Sequence, residues 1–119
     1  MRLGIDIIEI ARIQASIERY GERFVRRILT PSEIAYCYAK ANPYESIAAR
    51  FACKEALAKA LGTGISKTFH WHSVEILRGK HGEPKLRFLK KIRGLSAKRV
   101  AISISHTHQY AVAVAIISS

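Results

Sequence analysis

Val100-Ala101-Ile102-Ser103-Ile104-Ser105-His106-Thr107-His108-Gln109-Tyr110-Ala111-Val112-Ala113-Val114-Ala115-Ile116 is the stretch whose reading decides the fold. Val100, Ile102 and Ile104 alternate with Ala101, Ser103 and Ser105. After a polar turn at 106–109, Val112, Val114 and Ile116 alternate with Ala111, Ala113 and Ala115. A period of two belongs to strands, because successive side chains point to opposite faces. The β-branched residues at the bulky places favour the same state. Two such runs joined by a short turn make an antiparallel hairpin, each strand with one bulky and one small face.

Working back along the chain, residues 73–77 and 85–89 read as two further strands, joined through the longish turn 79–84. Before them the pattern changes. Residues 47–61 are rich in Ala, Leu, Lys and Glu, which favour helix. That helix starts near 44–46, and Gly62-Thr63-Gly64 ends it. Thr30-Pro31-Ser32-Glu33 has helix-start chemistry: Thr30 can cap, Pro31 suits the first position, and Glu33 can reach back. The helix from there should run to about Lys40, before Asn42-Pro43. Ile10, Ile13, Ile17 and Tyr20 recur at steps of three and four, a helix that Gly21 closes or bends. Arg12, Arg19 and Arg23 share a second stripe there, with Arg26 and Arg27 near its extension. Residues 3–8 form an opening strand, with Leu3, Ile5 and Ile7 on one face and Gly4, Asp6 and Ile8 on the other. One strand, then helices, then strands is an α+β fold: an antiparallel sheet packed with helices. There is no internal repeat, and Ser118-Ser119 is expected to fray.

A chain of 119 residues has one domain's length, so residues 1–119 are expected to share a single core. Hydrophobic residues at 49% and charged residues at 24% exclude a disordered chain. No apolar run reaches the ~20 residues of a membrane span. Asp6 and Glu9 interrupt any signal-like apolar run at the start. Cys37 and Cys53 form no close motif, which fits a reduced, cytoplasmic protein with small buried thiols. The charge is lopsided: 20 Lys+Arg against 9 Asp+Glu, a net of +11. Residues 1–59 carry 10 basic and 7 acidic side chains, and residues 60–119 carry 10 and 2. Such an excess points to an anionic partner, whether nucleic acid, membrane surface, polyphosphate or acidic protein.

Several residues could carry chemistry. Asp6 lies between Ile5 and Ile7, where an isolated carboxylate is costly to bury. It needs a partner, a metal or water; the plainer reading is an edge-strand Asp in solvent or paired with an Arg. Glu55 and Lys59 are one helical turn apart and can meet as an ordinary surface pair. Yet Ala48, Ala52, Glu55, Lys59 and Gly62 follow one stripe, whose small members would let a backbone or ligand come close. Asp6 with Glu55 would supply two oxygens, the least a protein gives to a Mg²⁺ site completed by water and phosphates. Gly62-Thr63-Gly64, with Lys67 nearby, is only weakly like a phosphate loop and reads first as a helix stop. His70/His72 and His106/His108 are His-x-His pairs that could bind zinc, but no Cys or carboxylate completes a known spacing. Phe69 and Trp71 stand outside any RNA-binding signature, and Lys90-Lys91 and Lys98-Arg99 fit a solvated basic face.

Taken together and in order, these motifs are specific. Gly4-Ile5-Asp6-Ile7 opens the chain. Arg27-Ile28-Leu29-Thr30 precedes Glu33. Arg50-Phe51-Ala52-Cys53-Lys54-Glu55-Ala56 runs on through Lys59-Ala60 to Gly62-Thr63-Gly64. Gly82 and Pro84 mark the hairpin, and Ser103-Ile104-Ser105-His106-Thr107 leads to Tyr110-Ala111. Over nearly its whole length the chain resembles the short bacterial 4′-phosphopantetheinyl transferases, the holo-acyl-carrier-protein synthases. The resemblance implies that fold and a reaction: transfer of the 4′-phosphopantetheine arm of coenzyme A to a serine of apo acyl carrier protein, releasing adenosine 3′,5′-bisphosphate. It implies that Asp6 and Glu55 hold Mg²⁺, with Mn²⁺ also suited to such ligands. The serine needs a base, either Glu55 or a metal-bound water, and Lys59 would stabilise or protonate the departing phosphate oxygen. Arg50, Lys54, Lys59, Gly62, Gly64, His106 and Thr107 are the implied coenzyme A contacts. Arg12, Arg19 and Arg23 match the helix that receives the acidic carrier. Relatives of this type are homotrimers with sites between subunits, serve fatty acid biosynthesis in the cytoplasm, and have no nucleic-acid or membrane partner.

The chain departs from the family pattern at Cys53, where many members have Ala, and at Ser73, where many have an acidic residue. Neither position is a metal ligand. Two other readings fit the charge: a small nucleic-acid-binding protein, and a coenzyme A-binding module without transfer activity.

Overall fold

The computed structural model describes residues 1–118. Its first strand, β1 (Arg2–Glu9), leads directly into α1 (Ile10–Tyr20) and α2 (Glu22–Ile28). Gly21 separates the two helices with φ 65°, a backbone state that costs a glycine little. α3 (Pro31–Tyr38) and the long α4 (Pro43–Leu61) follow. β2 (Val74–Arg78) and β3 (Pro84–Phe88) make one antiparallel hairpin, and β4 (Val100–His106) and β5 (Tyr110–Ile117) make another. The last hairpin joins β1 in a three-stranded antiparallel sheet of order β1-β5-β4. This is the α+β architecture expected.

The boundaries differ from expectation in a few places. α3 stops at Tyr38, short of Lys40, and α4 starts at Pro43, ahead of 44–46. Asn42 explains the second shift: its Oδ1 accepts from the Tyr44 amide, so it caps and Pro43 takes the first turn. The capping box at Thr30 and Glu33 forms as read, with Glu33 Oε1 taking the Thr30 amide at 2.9 Å. Ser118 does not fray, since its amide donates to the Arg99 carbonyl at 2.8 Å; Ser119 lies outside the described residues.

The faces of the sheet explain its sequence. Ala111, Ala113 and Ala115 of β5 turn inward and are buried, as are Gly4 and Ile8 of β1. Across from them stand Ala48, Ala52, Ala56 and Ala60 of α4, also buried. Helix and sheet therefore pack nearly backbone to backbone. A Cβ on Gly4 would lie 1.9 Å from the Ala56 carbonyl oxygen, so no other residue fits there. The bulky faces of β1 and β5 point the other way. Leu3, Ile5 and Ile7 are 65%, 57% and 64% exposed, and in register beside them lie Ile116, Val114 and Val112. The outer face of the sheet is thus an open apolar surface.

Behind α4, a buried ion pair ties the other elements together. Lys54 Nζ donates to Glu33 Oε1 (2.7 Å), the Ile28 carbonyl (2.8 Å) and the Trp71 carbonyl (2.7 Å). Glu33 Oε2 accepts from the Ile76 amide at 2.8 Å. Both side chains are fully buried, and every proton of the ammonium has an acceptor.

Candidate active site

β1 and α4 run side by side because their small residues permit it, and this packing brings Asp6 beside the last turns of α4. Lys59 Nζ lies 3.0 Å from Asp6 Oδ1 and 3.0 Å from the Ile5 carbonyl oxygen. Glu55, one turn earlier, is half-buried on the same edge. Its pKa is raised, first by burial and second by the negative charge of Asp6, while Lys59 opposes both. Two carboxylates and one ammonium thus converge on one spot; helical spacing sets Glu55 beside Lys59, while Asp6, read most plainly as solvated or paired with an Arg, takes Lys59 as its partner. A cavity of about 340 Å³ opens beside them. Arg12 and Ser16 of α1, Phe24 of α2 and Phe51 of α4 line it together with Asp6 and Glu55.

His106 lies elsewhere on the chain. Its Nδ1 is 3.0 Å from Glu45 Oε2, at the opposite end of α4 from Lys59. Glu45 and Glu55 are ten residues apart, or ~15 Å along a helix. A second cavity, of about 460 Å³, opens there and is lined by Lys40, Glu45, Arg50, Arg78 and His106 among others. Arg50 is buried along most of its length: Nε donates to the Ile76 carbonyl, one terminal nitrogen donates to Ser46, and the guanidinium stacks on Tyr36. It still borders this cavity, as a fixed positive charge.

Some expected site residues are placed differently. Lys54, expected to touch coenzyme A, is 0% exposed and spends all its donors on the interior, so it is withdrawn from the ligand set. Gly62 and Gly64 serve the end of α4: both amides donate to the Ala58 carbonyl, and φ values of 79° and 62° explain the glycines. Both amides are thus engaged within the chain, and the loop caps the helix, as its sequence reads first. Thr107 anchors the turn between β4 and β5, its hydroxyl oxygen accepting from the Gln109 and Tyr110 amides. Arg23 stands on α2 and not on the first helix, since Gly21 breaks the stripe; Arg12, Arg19 and Arg23 are all exposed. Among the described residues, neither His pair gathers a third His, Cys, Asp or Glu that would complete a metal-binding group. No described helix is long and apolar enough to cross a membrane.

Other residues were not singled out from the sequence. Phe51 could have been, since it lies one helical turn before Glu55. Lys40, Glu45 and Arg78 of the second cavity carry no local signal, and the capping-box pattern at Glu33 does not disclose that its carboxylate also takes Lys54. They come together only through the packing of α3, α4 and the β2–β3 hairpin.

The model of the 4′-phosphopantetheinyl transferase superfamily matches residues 2–115. The holo-[acyl-carrier-protein] synthase of Chloroherpeton thalassium is 56% identical over 117 residues, covering 98% of this chain and 97% of the relative. The crystal structure of the Helicobacter pylori holo-[acyl-carrier-protein] synthase in complex with coenzyme A is similar with a TM-score of 0.82 at 35% identity, covering 98% of this chain and 99% of that one. That of the Neisseria meningitidis synthase gives 0.86 at 29% identity, covering 99% and 98%.

Proposed function

This chain belongs to the 4′-phosphopantetheinyl transferase superfamily, and we propose that its site works by joining Asp6, Glu55 and Lys59 to the nucleotide cavity of a neighbouring copy. It transfers the 4′-phosphopantetheine arm of coenzyme A to a serine of apo acyl carrier protein. The observation that carries the mechanistic reading is the convergence of two carboxylates that line one cavity, with Lys59 paired to one of them.

The residues fit a divalent cation. Asp6 and Glu55 repel one another, and part of Glu55 is desolvated, so a cation between them would relieve both penalties. Two carboxylates leave coordination places for phosphate oxygens and water, which suits Mg²⁺, with Mn²⁺ an acceptable substitute. When bound, the ion neutralises charge on the pyrophosphate. The chain's own residues do the rest. The serine oxygen forms a bond to the phosphorus that carries the pantetheine arm. The bond from that phosphorus to the bridging oxygen breaks, and the oxygen leaves on adenosine 3′,5′-bisphosphate. Glu55, which lines the cavity where the serine would enter, takes the serine proton. Lys59 is half exposed and can swing from Asp6 to the departing oxygen.

The cavity lined by Lys40, Arg50, Arg78 and His106 suits the phosphorylated adenosine of coenzyme A, with fixed positive charge around it. Within one chain it lies at the far end of α4 from Glu55. A homotrimer in which His106 and Thr107 of one copy meet Asp6 and Glu55 of the next would close the gap. The open apolar face carried by Leu3, Ile5 and Ile7 supports such an assembly, because a surface of this kind seeks cover. Arg12, Arg19 and Arg23 would steer the acidic carrier toward the Asp6 cavity. Two buried free thiols fit a reducing cytoplasm, and the product fits fatty acid biosynthesis.

Subunit mixing tests the shared site. Glu55→Gln and His106→Ala chains are each expected to be nearly inactive. Co-assembled, they should regain activity, because some interfaces then unite an intact Glu55 with an intact His106. No recovery in verified mixed assemblies would place the whole site within one chain and overturn this arrangement.

A further inference from the structure

The rim of the Asp6–Glu55 cavity continues past the residues used so far. Phe51 lines the cavity, and its ring centroid lies 5.0 Å from that of Trp71. His70 and His72 flank Trp71, with their rings edge to face at 5.9 Å. His72 Nε2 is 2.7 Å from the Arg26 carbonyl oxygen of α2. A carbonyl only accepts, so Nε2 carries the proton. The His72 amide donates to His70 Nδ1 at 3.4 Å, which leaves the His70 proton on Nε2. From below, Lys54 Nζ donates to the Trp71 carbonyl. The loop is therefore held in place before any partner arrives.

Its surroundings are cationic. Facing His70 are Arg27 from α2, Lys90 from the segment after β3, Lys54 from α4 and His72 from its own loop. Among the described residues, no carboxylate acts on it. Burial and these positive neighbours lower the His70 pKa, so in the free protein the charged ring is disfavoured. Arg26 is paired with Glu22, while Arg27 and Lys90 are exposed with no ion-pair partner among the described residues.

We infer that the His70-Trp71-His72 loop, with Arg27 and Lys90 beside it, is a second docking surface for the carrier protein, which meets an acidic stretch of the carrier and takes up a proton as the two bind. The inference rests on the transfer reaction above, which places an acidic carrier at the neighbouring cavity. The contact between Phe51 and the buried Trp71 ties the loop to the cavity wall from inside the fold, so the two surfaces are held at a fixed separation. A carboxylate brought to the loop offsets the repulsion that disfavours the charged His70 ring and raises its pKa in the complex. A group whose pKa rises on binding takes up a proton, so affinity grows as pH falls through the raised value.

The test is the affinity of apo carrier for the whole protein at about pH 6 and about pH 8, where His is the side chain whose ordinary pKa falls between. The wild type should bind about two- to fivefold more tightly at the lower pH, the scale of one exposed charge pair. His70→Gln with His72→Gln should remove that slope and leave coenzyme A binding, and kcat at saturating carrier, unchanged. Lys90→Gln, a surface change, should weaken carrier binding at both pH values. The inference is overturned if the double variant keeps the wild-type affinity and slope. It is also overturned if the variant loses coenzyme A binding or kcat alone, because the loop would then only support Phe51. Binding of RNA or anionic vesicles at the loop, with no carrier effect, also overturns it. A wild type that binds the carrier but never modifies it would fault the reaction itself and leave the docking result standing.

Discussion

Glu55 pits stability against use. Burial and the nearby Asp6 charge both penalise its ionised form, and Lys59 offsets only part of that. A carboxyl whose pKa is raised by folding stabilises the fold when protonated. That gain is complete below the unfolded carboxylate range and is lost as pH climbs through the raised value. Removing the charge should therefore help the fold while ending the chemistry. Glu55→Gln is expected to raise the melting temperature of the metal-free protein at neutral pH and to lower kcat by about 10²–10⁴-fold. Calorimetry and turnover on the same sample check both. Much of this site was legible beforehand. Asp6 in an apolar strand, and Glu55 with Lys59 one turn apart, are local patterns. Lys54 misled for a physical reason: its neighbours in sequence place it on α4, but only the long-range partner Glu33 shows that its ammonium points inward.

At the scale of elements, the packing of α4 against β1 and β5 positions the site. Gly4 has no room for a side chain, because the carbonyl of Ala56 lies where a Cβ would stand. Gly4→Ala should push β1 off the helix, destabilise the fold by at least the ~1–3 kcal/mol typical of overpacking, and separate Asp6 from Lys59. Urea unfolding and activity should fall together. Lys54→Met leaves the buried carboxylate of Glu33 without its counter-charge and should cost about 3–5 kcal/mol. The double change Lys54→Met with Glu33→Leu should cost less than the single, which a mutant cycle would measure. The alternation at 100–117 disclosed these strands, because a period of two depends on neighbours alone. It did not disclose which face is buried. In β5 the small alanines turn inward, since the alanines of α4 make close approach possible, and the bulky valines are left outside.

For the whole molecule, that inverted face is the main consequence. Leu3, Ile5 and Ile7 lie open on the sheet, and the two halves of the proposed site stand at opposite ends of α4. Sedimentation equilibrium should give three chain masses. Ile5→Lys, in the middle of the face, should yield monomers that keep their helical circular dichroism and lose transfer. A wild type at one chain mass would contradict the shared site. In the proposed arrangement part of the net charge of +11 would serve two ends, exposed arginines steering the carrier and cations around the second cavity facing phosphates, with Lys91, Lys98 and Arg99 left as a solvated basic surface. The most direct test of the account is the intact mass of an apo carrier protein after incubation with this protein, coenzyme A and Mg²⁺. The account requires a gain of one phosphopantetheinyl group, which disappears when the metal is chelated or when Asp6→Asn or Glu55→Gln replaces the wild type. An equal gain with either variant, or without any divalent cation, would contradict it.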